Sequence, residues 1–234
     1  EELGASPRVT VDMVKENIMS VFAGTRDNCG SFTVLDLGCG KGDVSIPLAR
    51  EFGFRVHGFD AHPVFVSWAR ERAAASGISS LCRFEHGDIR SLVPGISGYN
   101  MVILGSIGPI LGDFGKTLEK ISGCVDKGGY AMIDDGCRKE GVPAGESSLC
   151  SFGETAADIN RCGFRRVDHY IFPSEEIAFT NKKNNEAIKK RAMELSLTYP
   201  DLNMLFMDYV KVQEEESAAL ENDIICVTWL LEKK

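Results

Sequence analysis

The segment Asp36-Leu37-Gly38-Cys39-Gly40-Lys41-Gly42 sets three glycines at alternate positions, starting two residues beyond a carboxylate. Glycines let the backbone fold tightly and let a ligand approach where side chains would block it. If a helix follows, its free N–H groups and positive end attract a polar ligand. The spacing is G-x-G-x-G, which differs from the G-x-G-x-x-G of dinucleotide sites. A tight turn with no ligand is the plain alternative. Two further carboxylates follow. Asp60, in Gly58-Phe59-Asp60-Ala61-His62, can accept from both hydroxyls of a ribose, or cap a helix opening at Pro63. Asp88, in His86-Gly87-Asp88-Ile89-Arg90, can accept from an adenine amino group, with Ile89 packing against the ring.

Each carboxylate stands at or just beyond a short apolar run that reads as a strand: 32–37, 54–59 and 81–86. Residues 43–52 and 63–76 read as helices between them, with Gly77 as a stop. A helix over 9–24, with Val11, Val14, Ile18, Val21 and Phe22 on one face and Gly24 at its end, comes before the first strand. Further strands are expected at 99–104, 130–134, 164–172 and 225–232, and helices at 113–125 and 151–162. Residues 89–98 read as a short helix or loop, 126–129 as a turn, and 136–148 as a loop. Strand–helix alternation with near-continuous apolar strands predicts an α/β protein, its parallel sheet covered on both faces. Ligands of such sheets bind at the C-terminal ends of the strands, where the three carboxylates fall.

VLDLGCGKGD, GFDAH, HGDI and DKGGY resemble the class I S-adenosylmethionine-dependent methyltransferases. The likeness spans about residues 9–171 plus the final strand. It leans toward the small-molecule branch of ubiquinone/menaquinone-biosynthesis and cyclopropane-synthase-like enzymes. The resemblance implies a seven-stranded, mostly parallel, doubly wound sheet whose last strand runs antiparallel between the fifth and sixth. It implies S-adenosyl-L-methionine as cofactor. Asp36, Gly38, Cys39 and Gly40 would hold its methionine moiety, and Asp60 the ribose with Ala61 beside the adenine. Asp88 and Ile89 would hold the adenine, and Leu104 and Gly105 would line the path to the methyl group. Asn100 departs from an acid often found there, at a position that is usually structural. The implied activity is methyl transfer to a small-molecule acceptor, driven mainly by proximity and alignment. Alternatives are a noncatalytic adenosylmethionine-binding protein and a same-fold transferase that moves another group of the cofactor. No catalytic residue is singled out.

Residues 173–223 form a helical insert before the last strand, within one domain over 1–234. Two helices, 182–198 and 201–221, break at Pro200. They read either as a solvated hairpin or as a lid, with Phe179, Met204, Leu205, Met207 and Tyr209 closing over the transfer edge. Asp134 and Asp135 end the fifth strand. They read as a helix cap or loop pair, as substrate contacts or, less readily, as metal ligands, since Gly105-Ser106 supplies no further acid. His57 reads as a satisfied core histidine, and His169 and Tyr170 as core or surface more than pocket.

Hydrophobic residues make up 44% of the 234 and charged residues 26%, as in ordinary globular proteins. A net charge of −8 disfavours nucleic acid and anionic membranes as main partners. The Asn/Asp-Pro-Pro-aromatic motif of enzymes that methylate bases or glutamine amides is missing after the fourth strand, which ends Leu104-Gly105-Ser106-Ile107. Eight cysteines without CxxC spacing read as reduced thiols of a cytoplasmic protein, with no structural metal. No run reaches the length of a membrane span, and the start EELGASPRVT lacks the pattern of a signal peptide.

Overall fold

The computed structural model describes residues 6–19, 30–143 and 149–234. Three parallel strands carry the motifs: β1 (Thr33–Leu37), β2 (Arg55–Asp60) and β3 (Cys82–His86). β4 (Tyr99–Gly105) and β5 (Val125–Arg138) continue the parallel sheet on the other side of β1. β6 (Phe164–Ile171) and β7 (Ile224–Lys233) complete the order β3-β2-β1-β4-β5-β7-β6. β7 is antiparallel to both neighbours and lies between β5 and β6. Order and direction match the expected seven-stranded arrangement.

Helices cover both faces because the central strands are apolar on both. One face packs Leu35, Leu37, Val102, Leu104, Ile133 and Trp229 against α4 (Ile89–Leu92), α5 (Phe114–Ser122) and α6 (Phe152–Arg161). The other packs Val34, Val56, Met101, Ile103 and Leu230 against α1 (Pro7–Asn17) and α2 (Ser45–Phe52). Helix α3 (Pro63–Ala75) adds Val66, Ala69 and Ala73 beside Cys39 and Phe84. Local signals set the ends. Pro63 opens α3, Gly77 leaves it at φ +70°, and Ser151 with Glu154 forms a capping box on α6.

Several boundaries differ from the expected ones, including the first insert helix, which starts at Ser174 rather than 182. Helix α1 ends at Asn17, and Val21, Phe22 and Gly24 lie outside the described residues. The turn at 126–129 falls inside β5, where the register with β4 shifts and Gly128 takes φ +74°. β5 also runs on to Arg138 through Gly136, because β7 pairs with it as far as Arg138↔Ile224. Antiparallel pairing thus converts the start of the expected loop into strand.

After β6 the chain leaves the sheet as a hairpin of α7 (Ser174–Thr198) and α8 (Asn203–Asn222). Only Ala192 and Val210 are buried along these two helices. Near its base the Asn181 amide donates to the Ser217 carbonyl (3.2 Å) and to Glu221 (3.0 Å), and the Asn185 amide donates to the Ser217 hydroxyl (3.1 Å). Lys139 on the loop after β5 donates to the Glu221 carbonyl, tying α8 to the sheet.

Candidate functional site

The glycine loop leaves β1 at Leu37 and is bound to β2 by its backbone. Gly38 and Cys39 both donate to the Phe59 carbonyl, at 2.8 and 3.0 Å. Gly38, Gly40 and Gly42 take φ of +83°, +52° and +79°. At Gly38 an added Cβ would stand 2.4 Å from the Ile107 side chain. Any other residue would therefore combine a left-handed backbone with a clash. At Gly40 the space beyond the backbone is open, so the loop offers a cradle that a ligand can enter.

Asp60 ties the loop to the second strand. One carboxylate oxygen accepts from the Gly40 N–H (2.9 Å), and the other from the His62 N–H ahead of α3 (2.7 Å). Each oxygen retains a lone pair for a hydroxyl. Ala61 lies beside it, with its carbonyl 3.1 Å from the His86 ring. Asp36 lies beneath the loop, fully buried, and accepts from the Ser45 hydroxyl at the start of α2. Burial, reinforced by the charges of Asp60 and Asp43, raises its pKa to about 6 against the opposing pull of Ser45. The Cys39 side chain packs with Ile46, Val66 and Phe84, and burial pushes its thiol pKa up.

Asp88 caps the short helix α4 by accepting from the Arg90 N–H (2.9 Å), and the Arg90 guanidinium grips both its oxygens. This pair holds the carboxyl below the usual carboxylate range. Ile89 is buried with Phe59 and Leu104 in the main core, so its side chain supports the edge from beneath. Leu104 is equally buried, and Gly105 pairs with Asp134 across the sheet. Asn100 accepts from the Thr33 N–H, a structural contact of the strand. His57 bridges Tyr99 and Glu85 at 2.7 and 2.8 Å, and His169 stacks on Trp229 in the core.

The sequence did not single out Ser106. It follows β4 with φ +54° and is the sole non-glycine residue at positive φ among the described residues. It lines a cavity of about 510 Å³ between the C-terminal edge of the sheet and the hairpin. Asp134 and Asp135 line that cavity from β5, well inside a strand rather than in a loop or cap. Thr228 donates to Asp134, and Gly136 donates to Asp135. Burial raises the pKa of both, that of Asp134 to about 6. Among the described residues no cluster has the composition of a metal site. The hairpin faces the cavity with Ile177, Thr180, Asn181, Ile188, Ser217 and Leu220, among others. The five apolar residues expected to close over the edge lie elsewhere: Phe179 and Met204 are 72% and 77% exposed, and none of the five lines the cavity. The inward stripe of each helix follows the helical period, whereas hydrophobicity alone picks residues that point outward.

Residues 30–194 match the family model described as "Methyltransferase domain". A "Probable fatty acid methyltransferase" of Pseudomonas putida is 25% identical over 201 residues, covering 85% of this chain and 46% of that protein. A 23S rRNA (uracil(1939)-C(5))-methyltransferase of Shewanella sp. (strain ANA-3) is 52% identical over 56 residues, 24% of this chain and 12% of that one. The chain thus spans less than half the length of either curated relative. In three dimensions it is similar to a SAM-dependent methyltransferase of Geobacter sulfurreducens solved with S-adenosyl-L-homocysteine. That likeness has a TM-score of 0.74 and 19% identity and covers 98% of this chain and 99% of that one.

Proposed function

The chain belongs to the methyltransferase-domain family, and from that premise we propose that it moves the methyl group of S-adenosyl-L-methionine to a small-molecule acceptor. The observation that carries this reading is the lock between Asp60 and Gly40, which presents an open, left-handed glycine cradle and a carboxylate at one strand edge. The residues fit the cofactor. The loop at Gly38, Cys39 and Gly40 offers backbone to a charged amino acid moiety, and Asp60 offers acceptors to a ribose diol. Ala61, Asp88 and the Ile89 backbone border the space for an adenine. Leu104 and Gly105 would border the path to the methyl group. When bound, adenosylmethionine supplies a methyl carbon already made electrophilic by its sulfonium. The chain's own work is alignment and exclusion of water.

The cavity between Ser106, Asp134, Asp135 and the hairpin is the proposed acceptor site, and residues 173–223 act as its lid within one domain. The absence of basic residues from its described lining supports a small molecule over a nucleic acid. Among the described residues no helix is long and apolar enough to cross a membrane. Their seven cysteines are free thiols, which supports a cytoplasmic setting.

The test is calorimetric titration with adenosylmethionine, adenosylhomocysteine and NAD, followed by detection of adenosylhomocysteine on turnover with candidate acceptors. Binding of both adenosyl compounds in the micromolar range is expected. Binding of NAD in their place would overturn the reading. Adenosylmethionine binding with no acceptor turned over would favour a noncatalytic binding protein.

A further inference from the structure

The proposed acceptor cavity has an uneven charge, and this inference rests on reading it as the acceptor site. Asp134 and Asp135 enter from β5, Glu176 from α7 and Glu216 from α8. No lysine, arginine or histidine is among its described lining residues. Arg8 lies 3.9 Å from Glu176 outside that lining. Asp134, Asp135 and Glu216 have no ion pair among the described residues. Their hydrogen-bond partners are neutral: the Thr228 hydroxyl at Asp134, the Gly136 N–H at Asp135 and the Gln213 amide at Glu216 (2.7 Å).

The rest of the wall has a second character. Side-chain amides of Asn181, Asn184 and Asn185 face the cavity from one helix, and Ile177, Ile188 and Leu220 surround them. Phe172, Ile224 and Val227 close the sheet side. A volume of about 510 Å³ is that of a small-ligand site, apolar over most of its wall with a few convergent polar groups. Carboxylates without a cationic partner on one cavity wall repel a further anion, and burial of Asp134 and Asp135 strengthens the repulsion. A cation placed there pairs with them and removes part of the cost of their burial.

We propose that the acceptor is an amine-bearing small molecule with an apolar body, its ammonium group seated at Asp134 and Asp135, and that acceptors bearing carboxylate or phosphate are rejected. Burial raises the Asp134 carboxyl to about 6, and a cation seated beside it favours its charged form. The chain would then differ in acceptor from its Pseudomonas putida relative, whose name specifies a fatty acid.

The experiment uses the whole chain and three probes that share one apolar body: hexylamine, hexanol and hexanoate. Affinities are measured by calorimetry at neutral pH with and without saturating adenosylhomocysteine. Hexylamine is expected to bind at least tenfold tighter than hexanoate, with hexanol between them. In Asp134→Asn/Asp135→Asn the preference should shrink to within about threefold while adenosylhomocysteine affinity is kept. Glu216→Gln, on an exposed helix face, gives a second measure that does not disturb the sheet: it should cut the preference about threefold. Hexanoate binding as tightly as hexylamine, or an amine preference unchanged in all these variants, overturns the proposal. If adenosylhomocysteine fails to bind, the transferase reading falls, and the probe series without it still decides the charge preference of the cavity.

Discussion

The strand edge at β1–β3 and the hairpin α7–α8 border neighbouring spaces but are built in opposite ways. At the edge every functional position is fixed by backbone. Gly38 and Cys39 hang on Phe59, Gly40 and His62 on Asp60, and Asp36 lies in the core. Along the hairpin only Ala192 and Val210 are buried, and Leu197 is 86% exposed. Its cavity face carries amides, among Ile177, Ile188 and Leu220, held by side chain to side chain and side chain to backbone bonds. The contrast teaches that the proposed cofactor site is a property of the sheet, whereas the proposed acceptor site is a property of the hairpin added to it.

The contrast is tested most severely by removing one side. Replacing residues 181–221 with a short Gly/Ser linker should abolish methyl transfer and leave adenosylhomocysteine affinity within about threefold, since the glycine loop is hydrogen-bonded to Phe59 and Asp60 of the sheet. Turnover and calorimetry on the same preparation check both halves. Turnover at the parent rate would remove the lid. A matching loss of cofactor affinity would show that the two regions are one site.

The complementary break is at Asp60. Asp60→Ala removes the acceptor for two backbone N–H groups and for the proposed ribose hydroxyls. It should weaken adenosylhomocysteine binding by roughly 2–3 kcal/mol, as for loss of charge-assisted hydrogen bonds. Calorimetry showing unchanged affinity would move the ribose contact elsewhere and leave Asp60 as a clamp on the loop alone.

The same division explains what could be read without coordinates. The glycine loop was legible because three residue types at fixed spacing serve a backbone need, and the strand order came from the family pattern they carry. Asp60 and Asp88 were legible as carboxylates at strand ends. The acceptor side was not. Asp134 and Asp135 were seen, but their place inside a strand depends on pairing with β7, about ninety residues later in the chain. Ser106 has no sequence signal for its positive φ, which is imposed by the loop joining β4 to α5. On the hairpin, Phe179, Met204, Leu205, Met207 and Tyr209 point outward, whereas asparagine amides face the cavity among Ile177, Ile188 and Leu220, so hydrophobicity alone selected the wrong stripe.

A pH measurement sharpens the comparison from the side of stability. The folded Asp36 carboxyl has a pKa of about 6, above its unfolded value, so the folded state holds its proton more tightly. Its stabilising contribution is complete below about pH 4 and is lost as pH rises through about 6. Asp36→Asn should therefore raise stability at pH 7 by roughly 1–3 kcal/mol and flatten the fall between about pH 4.5 and 7. Urea midpoints at the two pH values decide it. An equal or lower midpoint for the variant at pH 7 would mean that the buried carboxylate is better solvated or paired than its burial implies.

The smallest expected effect belongs to Asp88, where the edge is least buried. In the folded chain its carboxylate is engaged by the N–H and guanidinium of Arg90, and it caps a helix of a single turn. An adenine amino group would compete with Arg90 for the same oxygens, and the site is open to water, which weakens each contact. Asn is itself a good N-cap, so Asp88→Asn keeps α4 while replacing one acceptor with a donor. Adenosylhomocysteine affinity should fall only about three- to tenfold, with no change in urea midpoint beyond that of a surface substitution. Arg90→Ala provides the control. It frees the carboxylate, so affinity should hold or rise slightly if Asp88 meets the adenine. If Asp88→Asn binds as tightly as the parent and Arg90→Ala changes nothing, the base is held by backbone alone, and Asp88 belongs to the fold rather than to the site.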